Sequence, residues 1–280
     1  VHDLDGKVAV ITGGASGIGW AMARRFADAG MMIVLADIEE PALEARAAEL
    51  IEAGHEALAV PTDVSEPGPV HALRDRALDR FGAVHLVCNN AGVGGGGQMA
   101  SLTERDWQWV LGVNLWGVIH GIQAFLPTLL DQGHGHIVNT ASVAGLFAGP
   151  FMGPYNASKY AVVAVSETLH HEMTMGVTGV GVSVLCPGWV ATQIALADRN
   201  RPDHLRNDTT DGELLVGDMR GMLDTFIQQG MAPAQVAEQV LDAVTNDRFY
   251  ILTHEASAEA IARRMEAIVA GESPPFVMPT

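Results

Sequence analysis

The stretch from Lys7 to Asp37 constrains the fold more than any other. Lys7-Val8-Ala9-Val10-Ile11-Thr12 is a short, β-branched apolar run, the pattern of a parallel strand buried on both faces. It leads directly into Gly13-Gly14-Ala15-Ser16-Gly17-Ile18-Gly19, then a helical pattern to Ala29 closed by Gly30. A second apolar run, Met31 to Ala36, ends at Asp37. This is a βαβ unit with glycines at its first turn. The spacing G-x-x-x-G-x-G is not the commonest dinucleotide fingerprint, G-x-G-x-x-G. The physical logic carries over: glycines permit a tight turn, let the backbone approach a pyrophosphate and let the helix pack on its strand. The helix N-terminus then presents free N–H groups to phosphate, and Ser16 can cap that helix or donate to the phosphate.

Asp37 stands where an acid would hydrogen-bond the adenosine ribose. A 2′-phosphate at 4 Å from this carboxylate would be repelled by about 4 kcal/mol per charge pair at an effective dielectric of 20. The next residue is Ile38 rather than Arg, and the glycine loop carries no basic residue. NAD is therefore expected over NADP.

The same alternation continues. Helical patterns at Pro41–Ala53 and Pro67–Phe81 separate apolar runs at Ala57–Val60 and Val84–Cys88. Further strands are expected at Gly135–Thr140, Gly181–Cys186 and Phe249–Thr253, with helices at Thr103–Asp131, from Gly153 to Met175, at Pro233–Asn246 and at Ala256–Ala270. The expected fold is α/β: one doubly wound, seven-stranded parallel sheet with helices on both faces, in a single domain over residues 1–280. Ligands of such sheets bind at the carboxyl ends of the strands, where Asp63, Val64 and Asn89-Asn90-Ala91-Gly92 fall. Gly94 to Gly97 reads as a flexible loop.

The middle of the 103–131 helix, Trp109 to Ile119, is apolar on all sides, so it should be covered by its own sheet and by something else. Gly112, Gly117 and Gly121 would admit another backbone, which suggests a subunit interface, with loops of the same chain as the alternative. Asn114 is a polar residue in that apolar helix and needs a partner or a task.

The formal charge of −17 argues against a nucleic-acid surface and against a polybasic membrane contact. No stretch reads as long and apolar enough to span a bilayer. The start, Val1 to Gly6, lacks the regions of a signal peptide and an initiating Met, which suggests a processed or trimmed start. The two cysteines, Cys88 and Cys186, sit in apolar runs and read as buried strand residues, which fits a reducing cytoplasm. No His/Cys/Asp cluster has metal-ligand spacing, so no metal is expected.

Tyr155 and Lys159 lie one turn apart on one helix face. A free phenol titrates near 10, too high for an efficient base at neutral pH. A nearby ammonium favours the phenolate. Alone, such a pair also arises by accident.

Taken together, Thr12 to Gly19, Asp37, Asp63-Val64, Asn89-Asn90-Ala91-Gly92, Asn114, Ser142, Tyr155-x-x-x-Lys159 and Pro187-Gly188-Trp189-Val190-x-Thr192 resemble the short-chain dehydrogenase/reductase family, in its compact single-domain branch. The motifs stand in the family's order from residue 7 to about 192, and Tyr155 follows Ser142 at the family's spacing. The resemblance implies a Rossmann-type fold and alcohol/ketone interconversion by hydride transfer. It implies that Tyr155 is the general acid/base, that Lys159 lowers its pKa and holds the nicotinamide ribose, and that Ser142 polarises the substrate oxygen. Asn114 would fix a helix kink or a water of the proton relay. Gly13, Ser16, Gly17, Ile18, Gly19, Asp37, Asp63, Val64, Asn90, Ala91, Gly92, Pro187, Gly188, Val190 and Thr192 would complete the cofactor site.

Val93, Val143, Ala144, Phe147, Phe151, Met152 and Trp189, with Leu146 and Met99 nearby, suggest an apolar, roomy substrate pocket without an Arg or Lys to clamp a carboxylate. The expected substrate is a small-molecule lipophilic or aryl secondary alcohol, or its ketone. A substrate lid is expected over about 190–230, where Met222-Leu223 and Phe226-Ile227 could cover the site. The tail after Gly271 is expected to dock on a neighbouring subunit. The resemblance implies a homotetramer, or a homodimer, through the helices carrying Asn114 and Tyr155. The competing readings are an NADPH-dependent 3-oxoacyl-type reductase and a non-catalytic dinucleotide sensor.

Overall fold

The computed structural model describes residues 3–207 and 225–276. Seven parallel strands form one sheet in the order β3-β2-β1-β4-β5-β6-β7. They are β1 Val8–Thr12, β2 Met32–Asp37, β3 Ala57–Pro61, β4 Leu86–Asn89, β5 Gly135–Thr140, β6 Val180–Cys186 and β7 Tyr250–Leu252. The order reverses between β1 and β4, which opens a crevice at their carboxyl ends.

Alternate residues of the central strands feed two cores. Ala9, Ile11, Ile33 and Leu35 face α1 (Gly17–Asp28), α2 (Glu40–Glu52) and the C-terminal Pro233–Thr245 helix. Val8, Val10 and Val34 face α3 (Pro67–Phe81), the Gly117–Gln132 helix and the Gly153–Met175 helix. A strand buried on both sides can be apolar throughout, as β1 is. The two cysteines are free and buried in β4 and β6.

The 103–131 helix is more than one regular element. It comprises α4 Glu104–Leu111, a π-helical turn at Gly112–Trp116 and α5 Gly117–Gln132. Thr103 opens α4 with a reciprocal capping box to Asp106. The close approaches of this helix within the chain fit the alternative of coverage by the chain's own segments. The glycines approach groups of their own chain: a Cβ on Gly117 would meet the Val64 side chain at 2.8 Å, and one on Gly121 would meet Asn89 Oδ1 at 1.9 Å. Within the single chain the helix leaves Trp116 51% exposed. Residues 104–132 also satisfy the length and apolarity of a membrane span, contrary to the sequence reading, but half of the qualifying window is buried inside the fold. Core helices pass that test because burial, like lipid, selects apolar residues.

α6 Gly153–Met175 starts with Pro154 in its first turn and carries both Tyr155 and Lys159. α7 Pro233–Thr245 and α8 Ala256–Ala270 close the chain. Met222-Leu223 and the tail residues 277–280 lie outside the described residues.

Candidate active site

One cavity of about 1030 Å³ runs along the carboxyl ends of the strands. It is lined by all the residues assigned above to catalysis, cofactor and substrate except Gly19 and Asn114, which lie behind its wall. Leu146 and Met99 are also off the lining: Leu146 packs into the core behind it, and Met99 is exposed.

At one end, Gly13 and Gly17 adopt φ +66° and +54°, left-handed values that suit glycine. Gly19 is closed to any side chain, because a Cβ there would stand 2.1 Å from Gly13 O. Ser16 is the N-cap of α1 but makes no side-chain cap bond, so its hydroxyl and the first-turn N–H groups face the cavity. Asp37 Oδ2 accepts from Ala15 N at 3.0 Å and Oδ1 from Glu39 N at 3.1 Å, which fixes the carboxylate at the rim. Thr12 Oγ1 accepts from Asn90 N (2.9 Å) and Ala91 N (3.1 Å), tying the β4 exit to the glycine loop. A bare backbone cradle, an uncommitted helix N-terminus and a fixed acid fit a dinucleotide.

Sequence reasoning missed two arginines near this end. Arg46 of α2 donates to Ala15 O at 3.3 Å and pairs with Glu49 at 2.8 Å. Arg199, distant in sequence, pairs with Glu39 at 2.6 Å. Neither adjoins the glycine loop or Asp37 in the chain, so only the fold brings them there.

At the centre, Lys159 is buried and donates from Nζ to Thr140 O at 2.9 Å. Its Nζ lies 5.6 Å from the Tyr155 ring centroid. Burial pulls the Lys159 ammonium down to about 8. Burial pushes the Tyr155 phenol up, and a hydrogen bond with Ser142 acts in the opposite direction. Ser142 Oγ also accepts from Ala144 N at 3.1 Å. Asn114, in the π turn, has partners for both ends of its amide. Its Oδ1 accepts from Val93 N at 2.8 Å, and its Nδ2 donates to Val93 O (3.0 Å) and Ser158 Oγ (3.3 Å). It thereby joins the 92–97 loop to α6 beside Tyr155.

At the far end the glycine run is packed rather than loose. A Cβ on Gly95 would meet Val110 at 2.5 Å, and one on Gly96 would meet Phe151 O at 2.2 Å. Gly97 N donates to Phe151 O at 2.8 Å. Phe151 itself sits at φ +63°, an uncommon conformation for a bulky residue that the bonded loop holds in place. The Trp189 and Phe226 rings stack at 5.8 Å. The pocket is not purely apolar. Arg201 reaches its lining, held by Asp106 at 2.8 Å and lying 5.1 Å from the Trp109 ring centroid. Phe276 from the tail lines this chain's own cavity and remains 68% exposed. Among the described residues no group of three His, Cys, Asp or Glu could hold a metal.

The model of the short chain dehydrogenase family matches residues 7–203. The chain belongs to the short-chain dehydrogenase family. It is 32% identical over 277 residues to the CLA biosynthesis dehydrogenase/reductase of Lactiplantibacillus plantarum, covering 98% of this chain and 97% of that one. It is 33% identical to the C alpha-dehydrogenase of Sphingobium sp., covering 98% and 89%. A short chain dehydrogenase/reductase from Burkholderia phymatum, crystallised with NAD, matches with TM-score 0.96 and 45% identity over all of both chains. This short-chain dehydrogenase is accordingly an NAD(P)-dependent oxidoreductase that acts on CH–OH groups and their ketones.

Proposed function

We propose that this short-chain dehydrogenase oxidises a lipophilic or aryl secondary alcohol with NAD, using Tyr155 as general base. The observation that carries this reading is the convergence of Ser142, Tyr155 and Lys159 on one cavity whose other end holds the glycine loop and Asp37. Ser142 and Tyr155 hold the alcohol oxygen between them. The Tyr155 phenolate takes the hydroxyl proton, and Lys159, fixed by Thr140 O, stabilises the phenolate across the shared helix turn. Bound NAD would supply the acceptor for the carbinol hydride. Asn114 keeps the loop and α6 in register around the reacting atoms. Asp37 supports NAD, because its carboxylate is fixed at the rim and unfavourable to a 2′-phosphate. The stacked Trp189 and Phe226, with Phe147 and Phe151 on the lining, support an apolar substrate.

The described parts of the 190–230 region, residues 190–207 and 225–230, act as the substrate lid, with 208–224 outside the described residues, and assembly into a tetramer or dimer covers the exposed Trp116 face. The free, buried cysteines suit a cytoplasmic setting. Arg46 beside Ala15 favours a second reading, an NADPH-dependent 3-oxoacyl-type reductase. A panel of secondary alcohols graded by size and carboxylate content, assayed with NAD and NADP by reduced-nucleotide absorbance, separates the two. Turnover of apolar alcohols with NAD is expected, and NADP-only activity on acyl substrates would replace this reading by the second.

A further inference from the structure

Glu39 lies two residues beyond the acid that faces the ribose site, and its backbone N–H is held by Asp37 Oδ1 at 3.1 Å. Its carboxylate turns to a segment far away in the chain. Glu39 Oε1 accepts from Asn200 Nδ2 at 2.5 Å and pairs with Arg199 Nη2 at 2.6 Å. Asp37, Glu39, Arg199 and Asn200 all line the same cavity. Arg199 has a second tether that does not involve Glu39, because its Nη1 donates to Leu196 O at 2.8 Å. Removing the Glu39 charge would therefore leave a guanidinium still held at this rim, with one face unpaired.

We propose that Glu39 sets coenzyme selectivity by neutralising Arg199, a cation that the 194–200 turn delivers to the adenosine end of the cavity. This rests on the NAD reading above. Asp37 repels a 2′-phosphate directly. Glu39 removes the guanidinium that would otherwise attract it, since a planar, permanently charged fork is well matched to phosphate oxygens. The selectivity against a phosphate is thus divided between an acid next to the ribose and an acid that occupies the opposing base.

The test is a binding cycle on four full-length proteins: wild type, Glu39→Gln, Arg199→Ala and the double variant. Each is titrated with NADH and NADPH, read by nucleotide fluorescence, with thermal melting to confirm folding. The substituted amide can still accept from Asn200, so the turn keeps one tie. Glu39→Gln is expected to tighten NADPH by about tenfold, a factor within reach of one charge pair at the protein surface, while NADH changes by less than about threefold. Adding Arg199→Ala is expected to abolish the gain. An unchanged NADPH affinity in Glu39→Gln would overturn the proposal, as would a gain that survives the loss of Arg199. A wild type that prefers NADPH would instead count against the NAD reading, and the cycle would still report whether Glu39 acts through Arg199.

Discussion

At the scale of single residues, Tyr155 and Lys159 carry the sharpest expectations. Tyr155→Phe should lower turnover by about 10²–10⁴-fold, the usual range for a general acid/base, and leave NADH binding by fluorescence within about twofold. Unchanged turnover would remove Tyr155 from the mechanism. Burial pushes the phenol up, and oxidation needs its deprotonated form. Alcohol oxidation should therefore rise with pH above neutrality, while ketone reduction, which needs the phenol, falls; parallel pH–rate profiles in the two directions check this. Gly96 makes a different kind of demand. A Cβ there would stand 2.2 Å from Phe151 O, so Gly96→Ala should cost about 1–3 kcal/mol of stability through overpacking, read by urea unfolding. It should also raise KM for the alcohol more than KM for NAD. Tyr155 and Lys159 were marked in the sequence by their spacing of one helix turn, but that pair alone also arises by accident. It was the whole set of motifs from Thr12 to Thr192 that singled them out. The packing of Gly96 was not legible, because a glycine has no side chain to signal what it touches, and its neighbour Phe151 lies more than fifty positions away.

At the scale of elements, the π turn at Gly112–Trp116 concentrates the interest. The sequence marked Asn114 as a polar residue out of place, and the reason is three hydrogen bonds to two other segments. Asn114→Ala would leave the Val93 N–H and C=O buried without partners, so a loss of about 2–4 kcal/mol is expected in urea unfolding. Asn114→Asp should lose less, because it keeps the acceptor for Val93 N. Strands and helices were legible to within a residue or two because apolar runs and glycine stops recur along the chain, as in α3, β5 and α8. The break between α4 and α5 was not legible. A π turn alters one hydrogen-bond register without altering the hydrophobic pattern. The pairing of Glu39 with Arg199 and the return of Phe276 to the cavity were hidden for a related reason: both depend on tertiary folding of polar or terminal segments that carry no periodicity.

At the scale of the whole molecule, stability carries a pH dependence from a histidine buried in the sheet. His136 of β5 is fully buried, and its Nε2 bonds with Ser183 Oγ at 2.8 Å, while Ser183 donates to Arg248 O. Burial lowers His136 to about 4. The unfolded chain would take up a proton near pH 6.5 and the folded chain only near 4, so stability falls as pH drops through that window. The expected loss attributable to His136 is at most about 3 kcal/mol. Urea unfolding between pH 7 and pH 5 should show the loss, and His136→Gln should flatten the slope. For assembly, light scattering should give a mass above one chain, and Trp116→Glu should lower it; a single-chain mass for the wild type would dismiss the exposed Trp116 face as an interface. The order of the sheet has a kinetic consequence as well. β1 pairs with β2 early in the chain, but its other neighbour is β4, with Ala9 opposite Leu86. Until synthesis has supplied that distant strand, the apolar edge of β1 has no partner. Long-range closure of this kind slows folding and prolongs the time an unpaired strand edge is exposed to aggregation.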